Sequence, residues 1–353
     1  MLPVPTFLRL IRAETLKELF EKTPRGVSSA FNAEGVYLLR LVGGRWRVVG
    51  AYGVGEKALG LRLPLEWVPP EGPIPLPGPL AFSPDGRERP GYGLKRGDFA
   101  LLLEGVSSLD PDGEELLTVL LEVVVLRAQR LVSLQILDFI LAFGKRLRMG
   151  GSLERELKEA LTELLAHTGF GAGALFLREG EICRLLVVGG EFPPEYLLYH
   201  QRHSVGCREG AGRLLWESPD GVAVIPDYQE YPHALPEVKR MGLRTTVQLL
   251  LSWAGQPYGV LALGSFGQKV EMEPELKRLL LVARDELEAY LERRFQVEGT
   301  LEAIAAILER LDYETEGHMR RVSELAVLLG ERVGVEDLEG LRMGAYLHDL
   351  GKL

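Results

Sequence analysis

The segment TTVQLLLSWAGQPYGVLALGSF, residues 245–266, contains two apolar runs that meet at Gly255. Glycine adopts the backbone angles of a tight turn without steric conflict, so the two runs predict a β-hairpin. An earlier pair of runs, at 173–180 and 182–190, predicts a second hairpin, and a single strand is predicted at 221–226. Strands that are joined mainly by hairpins indicate an antiparallel sheet.

Helices are predicted on both sides of these strands. One covers 152–167, with Ser152 as its N-cap, and another begins near Pro274. The preceding part of the chain repeats the plan with a helix at 6–21, strands at 36–42 and 45–52, a Pro/Gly-rich loop at 64–93, a strand at 98–105 and a helix at 111–149. The predicted fold class is α+β, with two antiparallel sheets, each packed against helices, linked by long helices.

The composition is that of a globular protein without a general affinity for polyanions. The chain has 353 residues, 46% hydrophobic and 26% charged, and a net charge of −9 at pH 7. This acidic balance argues against binding to nucleic acid or to anionic membranes. The most apolar stretch, 116–143, is interrupted by Glu122, Arg127, Arg130 and Asp138. It therefore predicts no membrane span.

The remaining composition signals predict a cytoplasmic protein. The N-terminus lacks a basic region followed by an apolar core, so no secretory signal is predicted. Cys183 and Cys207 can pair in principle, but so few cysteines in so long a chain predict free thiols in a reducing compartment. Asn32 is the single asparagine, and Leu, Arg, Glu and Pro are abundant, which indicates a thermophile.

The middle of the second block carries a family resemblance. The run VGCREGAGRLLWESPDGVAVIPDY, residues 205–228, has a Gly-rich turn opening a short helix and a strand ending in Pro226 and Asp227. With Gly206, Gly210 and Gly212, this pattern resembles the middle of a GAF domain. The resemblance covers 152–293, and 1–110 looks like a shortened, divergent GAF domain.

The GAF resemblance implies a pocket for a small molecule between sheet and helices. The ligand is not identified by the sequence, because the Asn-Lys-x-Asp run that cyclic-nucleotide-binding GAF domains carry is absent. Three histidines near the Gly-rich turn, His200, His203 and His233, are predicted to lie in polar loops.

The closing helix of the second block shows a different periodicity. Its apolar positions alternate in steps of four and three, with one break at Arg294. They are Leu276, Leu280, Ala283, Leu287, Tyr290, Arg294, Val297, Leu301, Ile304, Leu308 and Leu311. A seam of this kind predicts a parallel two-stranded coiled coil and hence a homodimer. The alternative is one helix that packs on its own domain.

The last residues contain two pairs of side chains that can hold metal. Glu314 and His318 are four residues apart, so on a helix both project from one face. His348 and Asp349 are adjacent. Imidazole and carboxylate groups at these spacings are suitable metal ligands.

Together the two pairs resemble the HD phosphohydrolase superfamily and, within it, the HD-GYP group. The opening pattern of this group is matched by Asp312, Thr315, Gly317, His318, Arg321 and Val322. Its signature is matched by HDLGK at 348–352. The resemblance implies that Glu314, His318, His348 and Asp349 bind iron or manganese and that Lys352 is a catalytic residue that neutralises phosphate charge. A metal-activated water would attack the phosphodiester of cyclic di-GMP.

The HD resemblance covers only the first part of such a domain. The later histidines, the last metal-binding Asp and the GYP motif would lie beyond Leu353. We therefore expect a partial all-α HD domain and a 353-residue chain without phosphodiesterase activity. The apolar residues that the further helices would cover, expected to be exposed, are Leu325, Val327, Leu328, Leu341 and Leu347.

Three functions follow from these patterns. The first is a signalling protein whose GAF sensor regulates an HD-GYP phosphodiesterase, the second a non-enzymatic GAF module for small-molecule binding or dimerisation, and the third an HD hydrolase of other nucleotides. The predicted domains are a divergent GAF-like domain at 1–110, a connecting helix at 111–150, a GAF domain at 151–293, a signalling coiled coil at 276–311 and a truncated HD-GYP domain at 312–353.

Overall fold

The chain divides into two compact units. The computed structural model describes residues 10–42, 44–63, 72–76, 89–147, 152–203, 205–253, 255–311, 318–335 and 337–348. The first unit comprises Met1–Leu137 with Glu273–Glu275, and the second comprises Asp138–Met272 with Leu276–Leu353. Among the described residues, no helix is long and apolar enough to cross a membrane.

The first unit contains a six-stranded sheet in the order β3-β2-β1-β6-β5-β4, with antiparallel pairing. Its elements are α1 (Leu16–Phe31), β1 (Gly35–Val42), β2 (Arg45–Gly53), β3 (Arg62–Leu63), β4 (Ile74–Pro75), β5 (Gly91–Arg96), β6 (Phe99–Glu104) and most of α2 (Pro111–Arg146). The predicted hairpin β1–β2 is confirmed, and so is the long helix α2.

The first helix does not have the predicted bounds. The prediction of 6–21 is wrong in its bounds: in the described residues the helix is interrupted at 12–15, and α1 begins after Thr15 and continues through Pro24 to Phe31. The Thr15 hydroxyl accepts a hydrogen bond from the Glu18 amide at 3.2 Å, which caps the first turn. Proline removes one backbone donor inside the helix. Gly50 of β2 packs against Phe20 O, one turn before Pro24, where any Cβ would collide.

Two strands were also missed in the stretch predicted as a loop. Residues 64–93 include β4 and the start of β5, and β5 pairs with β6 in the register Leu94↔Leu101. The density of proline and glycine suggested a loop, but Tyr92 and Leu94 are buried in the core of the unit. Gly97, at φ 54°, provides the turn between the two strands.

The second unit contains a six-stranded sheet in the order β10-β11-β12-β7-β8-β9, again with antiparallel pairing. Its elements are α3 (Leu153–Thr168), β7 (Ala172–Glu179), β8 (Ile182–Gly190), α4 (Pro194–Arg202), β9 (Val205–Gly206), α5 (Ala211–Glu217), β10 (Val222–Ile225), α6 (Pro236–Arg240), β11 (Leu243–Trp253), β12 (Gln256–Phe266), α7 (Pro274–Leu311), α8 (His318–Val333) and α9 (Leu338–Tyr346). Both predicted hairpins are confirmed, and so is the α+β class.

One face of this second sheet packs against α3 and α7. Leu175, Leu249 and Leu261 point from three strands into a core that includes Leu161 of α3 and Leu287 of α7. Because side chains alternate along a strand, the neighbouring residues face the other side of the sheet. That other side is covered by shorter helices, among them α4 and α5.

The predicted long helix α7 is continuous, but several of its apolar heptad positions pack within this same chain. Leu280, Ala283, Leu287 and Tyr290 are no more than 1% exposed and lie in the core of the second unit. These positions are not available to a partner helix, so the alternative of a helix packed on its own domain holds for this part. The side chains from 301 to 311 lie outside the described residues, and a coiled coil there stays a prediction.

The break in the seam at Arg294 has a structural reason. Arg294 is 3% exposed and its guanidinium lies 3.6 Å from the buried Glu156 carboxylate of α3. The Tyr290 hydroxyl donates a hydrogen bond to the same carboxylate. A buried carboxylate requires such partners, so the cation replaces an apolar residue where α7 meets α3.

The C-terminal helices α8 and α9 form a close pair. A Cβ at Gly330 of α8 would lie within 3 Å of Leu341 and Leu338 of α9, so glycine permits this approach. Leu325 and Leu328 are exposed, at 58% and 57%, as expected. The other three residues that were expected to be exposed are only partly exposed, so full exposure was a wrong prediction for them. These are Val327, Leu341 and Leu347.

Candidate ligand pocket and metal site

A cavity lies on the face of the second sheet that is turned away from α3 and α7. A row of small residues crosses the sheet there, because Ala223 pairs with Gln248, Gln248 with Ala262, and Ala262 with Ala174. Methyl side chains leave space that leucine or valine would fill. The cavity, of about 90 Å³, is lined by Gln248, Ala262 and Ala174 of this row and by residues of α4.

Aromatic side chains line the cavity together with these alanines. The rings of Phe192 and Tyr196 stack with centroids 4.8 Å apart, and Phe266 meets Tyr196 edge-on at 5.9 Å. His200, one turn further along α4, lies 4.6 Å from Tyr196 and 5.3 Å from Phe176. The cavity therefore offers flat apolar surfaces to a ligand.

Two buried polar atoms on residues that line the cavity have no hydrogen-bond partner among the described residues. They are Nε2 of His200 and Oε1 of Gln248, and both are buried. Burial lowers the pKa of His200 to about 4, so its imidazole is neutral at pH 7. Buried polar groups are rarely left unpaired, so these two atoms mark places where a ligand or water binds.

Two hydroxyl groups of the lining have partners within the protein. The Thr246 hydroxyl donates to Leu263 O at 2.8 Å, and the Tyr228 hydroxyl accepts from the Leu235 amide at 3.0 Å. Burial raises the pKa of Tyr196 far above its usual value, so its hydroxyl stays protonated. Among the described lining residues, Glu209 is the single one with a full charge at pH 7.

The two cysteines line the cavity and form a disulfide. The pairing of β8 with β9 sets Cys183 opposite Val205, which brings Cys207 to a Cα–Cα distance of 5.0 Å from Cys183. The prediction of free thiols is therefore wrong. Two cysteines separated by 24 residues give no local signal of pairing, since the two-residue strand β9 that joins them is itself too short to predict.

The residues that carry the GAF resemblance set the backbone conformation at the start of α5 and after the end of β10. Gly210 has φ 55°, and a Cβ at Gly212 would collide with Cys207 O. Asp227 accepts from the Gln229 amide at 3.0 Å and lies 2.6 Å from the Lys269 ammonium, and these hydrogen bonds lower its pKa. None of these residues supplies one of the two unpartnered polar atoms on the residues that line the cavity.

His200 and Tyr196 were missed as pocket residues. Residues 194–202 form helix α4 instead of the predicted polar loop, which sets both side chains on its inner face. The signal was weak because Pro194 begins the helix, and proline is read as a loop marker although it suits the first helical position. Gln248, within the apolar run of β11, was the more visible clue.

The C-terminal helices bring two of the predicted metal ligands together. The rings of His318, at the start of α8, and His348, just after α9, have centroids 5.5 Å apart. The Nδ1 atom of His348 lies 2.8 Å from Ala345 O. A carbonyl accepts only, so Nδ1 carries the proton and the lone pair of the ring is on Nε2. This is the tautomer of a metal-binding histidine that is oriented through its other nitrogen.

The other predicted site residues lie outside the described residues. They are Glu314, Asp349 and Lys352. Within the described part of the chain, no group of three or more metal-binding side chains is present. The geometry of the two histidines fits a metal site, and the ligand set beyond them stays a prediction.

The C-terminal part of the chain matches a known protein family. The family model of the HD domain matches residues 315–353. A search of curated proteins found no similar sequence. Among solved structures, the GAF domain of A. aeolicus nlh2 is 18% identical, covering 46% of this chain and 99% of its own with a TM-score of 0.37. The GAF domain of a Coxiella burnetii phosphoenolpyruvate-protein phosphotransferase is 13% identical, with coverages of 47% and 98% and a TM-score of 0.40.

One match extends over most of the chain. Bacteriophytochrome RpBphP3 from R. palustris is 12% identical and covers 82% of this chain and 74% of its own, with a TM-score of 0.58. At this identity the likeness concerns the fold alone. The architecture predicted from the sequence is confirmed: the chain combines a GAF-type α+β fold with a segment of an HD domain at residues 315–353.

Proposed function

We propose that this chain is the sensory and connecting part of a signalling protein in which a GAF domain regulates an HD-GYP-type, metal-dependent phosphodiesterase of cyclic di-GMP. The observation that carries the proposal is the approach of His318 and His348, whose rings lie 5.5 Å apart although they belong to different segments. Two imidazoles brought together in an HD segment are best explained as ligands of one metal centre.

The proposed metal centre uses the four residues that the HD resemblance names. His318 and His348 would hold iron or manganese, together with the carboxylates of Glu314 and Asp349. When bound, the metal activates a water for attack on a phosphodiester. Lys352 would neutralise charge on the phosphate, and further ligands would come from residues outside the HD segment of this chain.

Contacts along the second unit support a route from sensor to output. Strand β11 carries Gln248 in the cavity and, near its end, Ser252 and Trp253. The Ser252 amide donates to Glu288 at 2.5 Å and the Trp253 indole to Glu292 at 3.1 Å, both on α7. A ligand in the cavity would act on the output if its affinity differs between two conformations of the domain that differ in the position of α7.

The same helix then contacts the HD segment. Val297 of α7 packs in a cluster with Met319 of α8, Tyr346 of α9 and the following Leu347. Met319 follows His318 directly, and Leu347 precedes His348. A small shift of α7 at this cluster would therefore change the separation of the two histidines.

We further propose a homodimer that forms through the long helices. Helix α2 exposes a stripe of large apolar residues that a partner would cover. They are Val119 at 37%, Leu126 at 65%, Leu134 at 45% and Leu137 at 50%. These positions fall on one side of a helix with 3.6 residues per turn, as a helix–helix contact requires.

The test is an assay of cyclic di-GMP hydrolysis with manganese or iron. The chain is compared with a version extended through the coding sequence that follows Leu353 in the source DNA. The extended protein is expected to turn the substrate over, and His348→Ala should abolish the turnover. Turnover by the 353-residue chain itself, or none by the extended protein, would contradict the proposal.

A second candidate is a non-enzymatic GAF module that binds a small molecule. The observation in its favour is that the cavity has a complete lining and unpartnered polar atoms within the described residues. Ligand binding without any effect of metal or of the HD segment would favour this candidate.

A further inference from the structure

The size of the cavity limits what it can hold. Its volume of about 90 Å³ is several times the roughly 10–15 Å³ that one water needs. It is therefore large enough for about one ring, and a second fused ring would reach into the mouth. Larger substituents would have to project through the mouth toward solvent.

The walls of the cavity favour a planar ligand. Alanines and Phe266 of the sheet line it together with Phe192 and Tyr196, whose rings stack on each other, and Phe266 is set edge-on to Tyr196. Flat rings in this arrangement gain dispersion and stacking energy from another flat ring, which a branched aliphatic molecule would not match.

Two polar atoms specify where the ligand carries its hydrogen bonds. Gln248 Oε1 accepts only, so its partner must be a donor. His200 Nε2 exchanges one hydrogen bond as donor or acceptor, depending on its tautomer. A purely apolar ligand would leave both buried groups unpaired, which is unfavourable.

The charges of the lining disfavour an anion. No lysine or arginine occurs among the described lining residues, and the full charge at pH 7 is the carboxylate of Glu209. His200 is neutral at that pH. A phosphate or carboxylate in the cavity would be desolvated without a compensating cation.

From these four observations we propose that the cavity binds a small planar aromatic molecule, uncharged or with one positive charge, that donates a hydrogen bond to Gln248 and exchanges another with His200. Nucleotides with their phosphates inside the cavity are thereby excluded as ligands. This assignment rests on the sensor part of the proposed function, and it does not depend on the activity of the HD segment.

The test is a calorimetric titration of the 353-residue protein with four bicyclic aromatic probes. Indole is neutral with one N–H donor, naphthalene lacks the donor, tryptamine adds a cation and indole-3-carboxylate adds an anion. We expect indole and tryptamine to bind at least tenfold more tightly than naphthalene and indole-3-carboxylate, since a tenfold ratio corresponds to about one hydrogen bond.

A matched pair of variants tests whether Gln248 accepts the hydrogen bond that the ligand donates. Gln248→Leu should weaken indole binding about tenfold and leave naphthalene binding unchanged or tighter. Gln256→Leu, the same substitution at the exposed start of β12, should change neither. His200→Phe provides a second variant that keeps an aromatic ring while it removes the polar atom.

The outcomes separate this proposal from the proposed function. Tighter binding of indole-3-carboxylate than of indole, equal indole binding by wild type and Gln248→Leu, or no binding of any probe would each overturn the ligand class. The wild-type probe series decides even if a variant fails to fold. None of these results depends on hydrolysis of cyclic di-GMP, which has its own assay.

Discussion

At the scale of single residues, His200 is a neutral imidazole held among the rings of Tyr196, Tyr199 and Phe176. Its pKa in the folded protein is about 4, because burial disfavours the charged form, against about 6.5 in the unfolded chain. The unfolded state therefore binds more protons between these values. The contribution of His200 to stability is fully present above about pH 6.5 and is lost as the pH falls toward 4.

This linkage predicts how a variant behaves. Between pH 7 and pH 5, the free energy of unfolding in urea should fall more for wild type than for His200→Phe, which has no group to titrate there. Tyr196 and Tyr199 stay protonated throughout this range. Equal pH dependence of the two proteins would mean that His200 is not buried as described.

At the scale of elements, the disulfide joins strand β8 to the segment that leads into α5. Its two cysteines are 24 residues apart, and a crosslink that closes a loop of this size stabilises a protein by about 2–4 kcal/mol. The double variant Cys183→Ser/Cys207→Ser should lose about that much in free energy of unfolding under non-reducing conditions. Wild type in excess reductant should match the variant. Identical stability in all cases would show that the thiols do not pair.

Elements with local sequence signals could be predicted, whereas features that depend on strand register could not. The hairpin around Gly255 and the start of α7 at Pro274 were predictable because their signals are local. Strand β5 was missed because Pro90 and its glycines hide the alternation of Tyr92 and Leu94. The disulfide and the row of alanines beside Gln248 depend on strand register, which no local pattern reveals.

The apolar spacing of α7 was ambiguous in a similar way. Its four-and-three spacing fits a coiled coil and a helix packed on a sheet equally well over a short stretch. Leu287 and Tyr290 are buried on the domain's own core, and Arg294 pairs with Glu156. The spacing identified the buried side of the helix but could not say what covers it.

At the scale of the whole molecule, the apolar stripe of α2 predicts a dimer. Leu126→Glu/Leu134→Glu would set two carboxylates in the proposed contact, and light scattering should then show a monomer where wild type is a dimer. Gln135→Glu, an exposed position about half a turn away from the stripe, is the matched control and should leave the dimer intact. A monomeric wild type, or a dimer in all three proteins, would remove the stripe from the interface.

The same scale contains the central claim, that His318 and His348 belong to one metal centre. The direct measurement is a titration of the 353-residue protein with Mn²⁺, followed by electron paramagnetic resonance, for wild type, His318→Ala and His348→Ala. Because the described part of the chain offers only part of a ligand set, we expect weak binding by wild type that both substitutions abolish. Tight, one-to-one binding that persists in both variants would contradict the account.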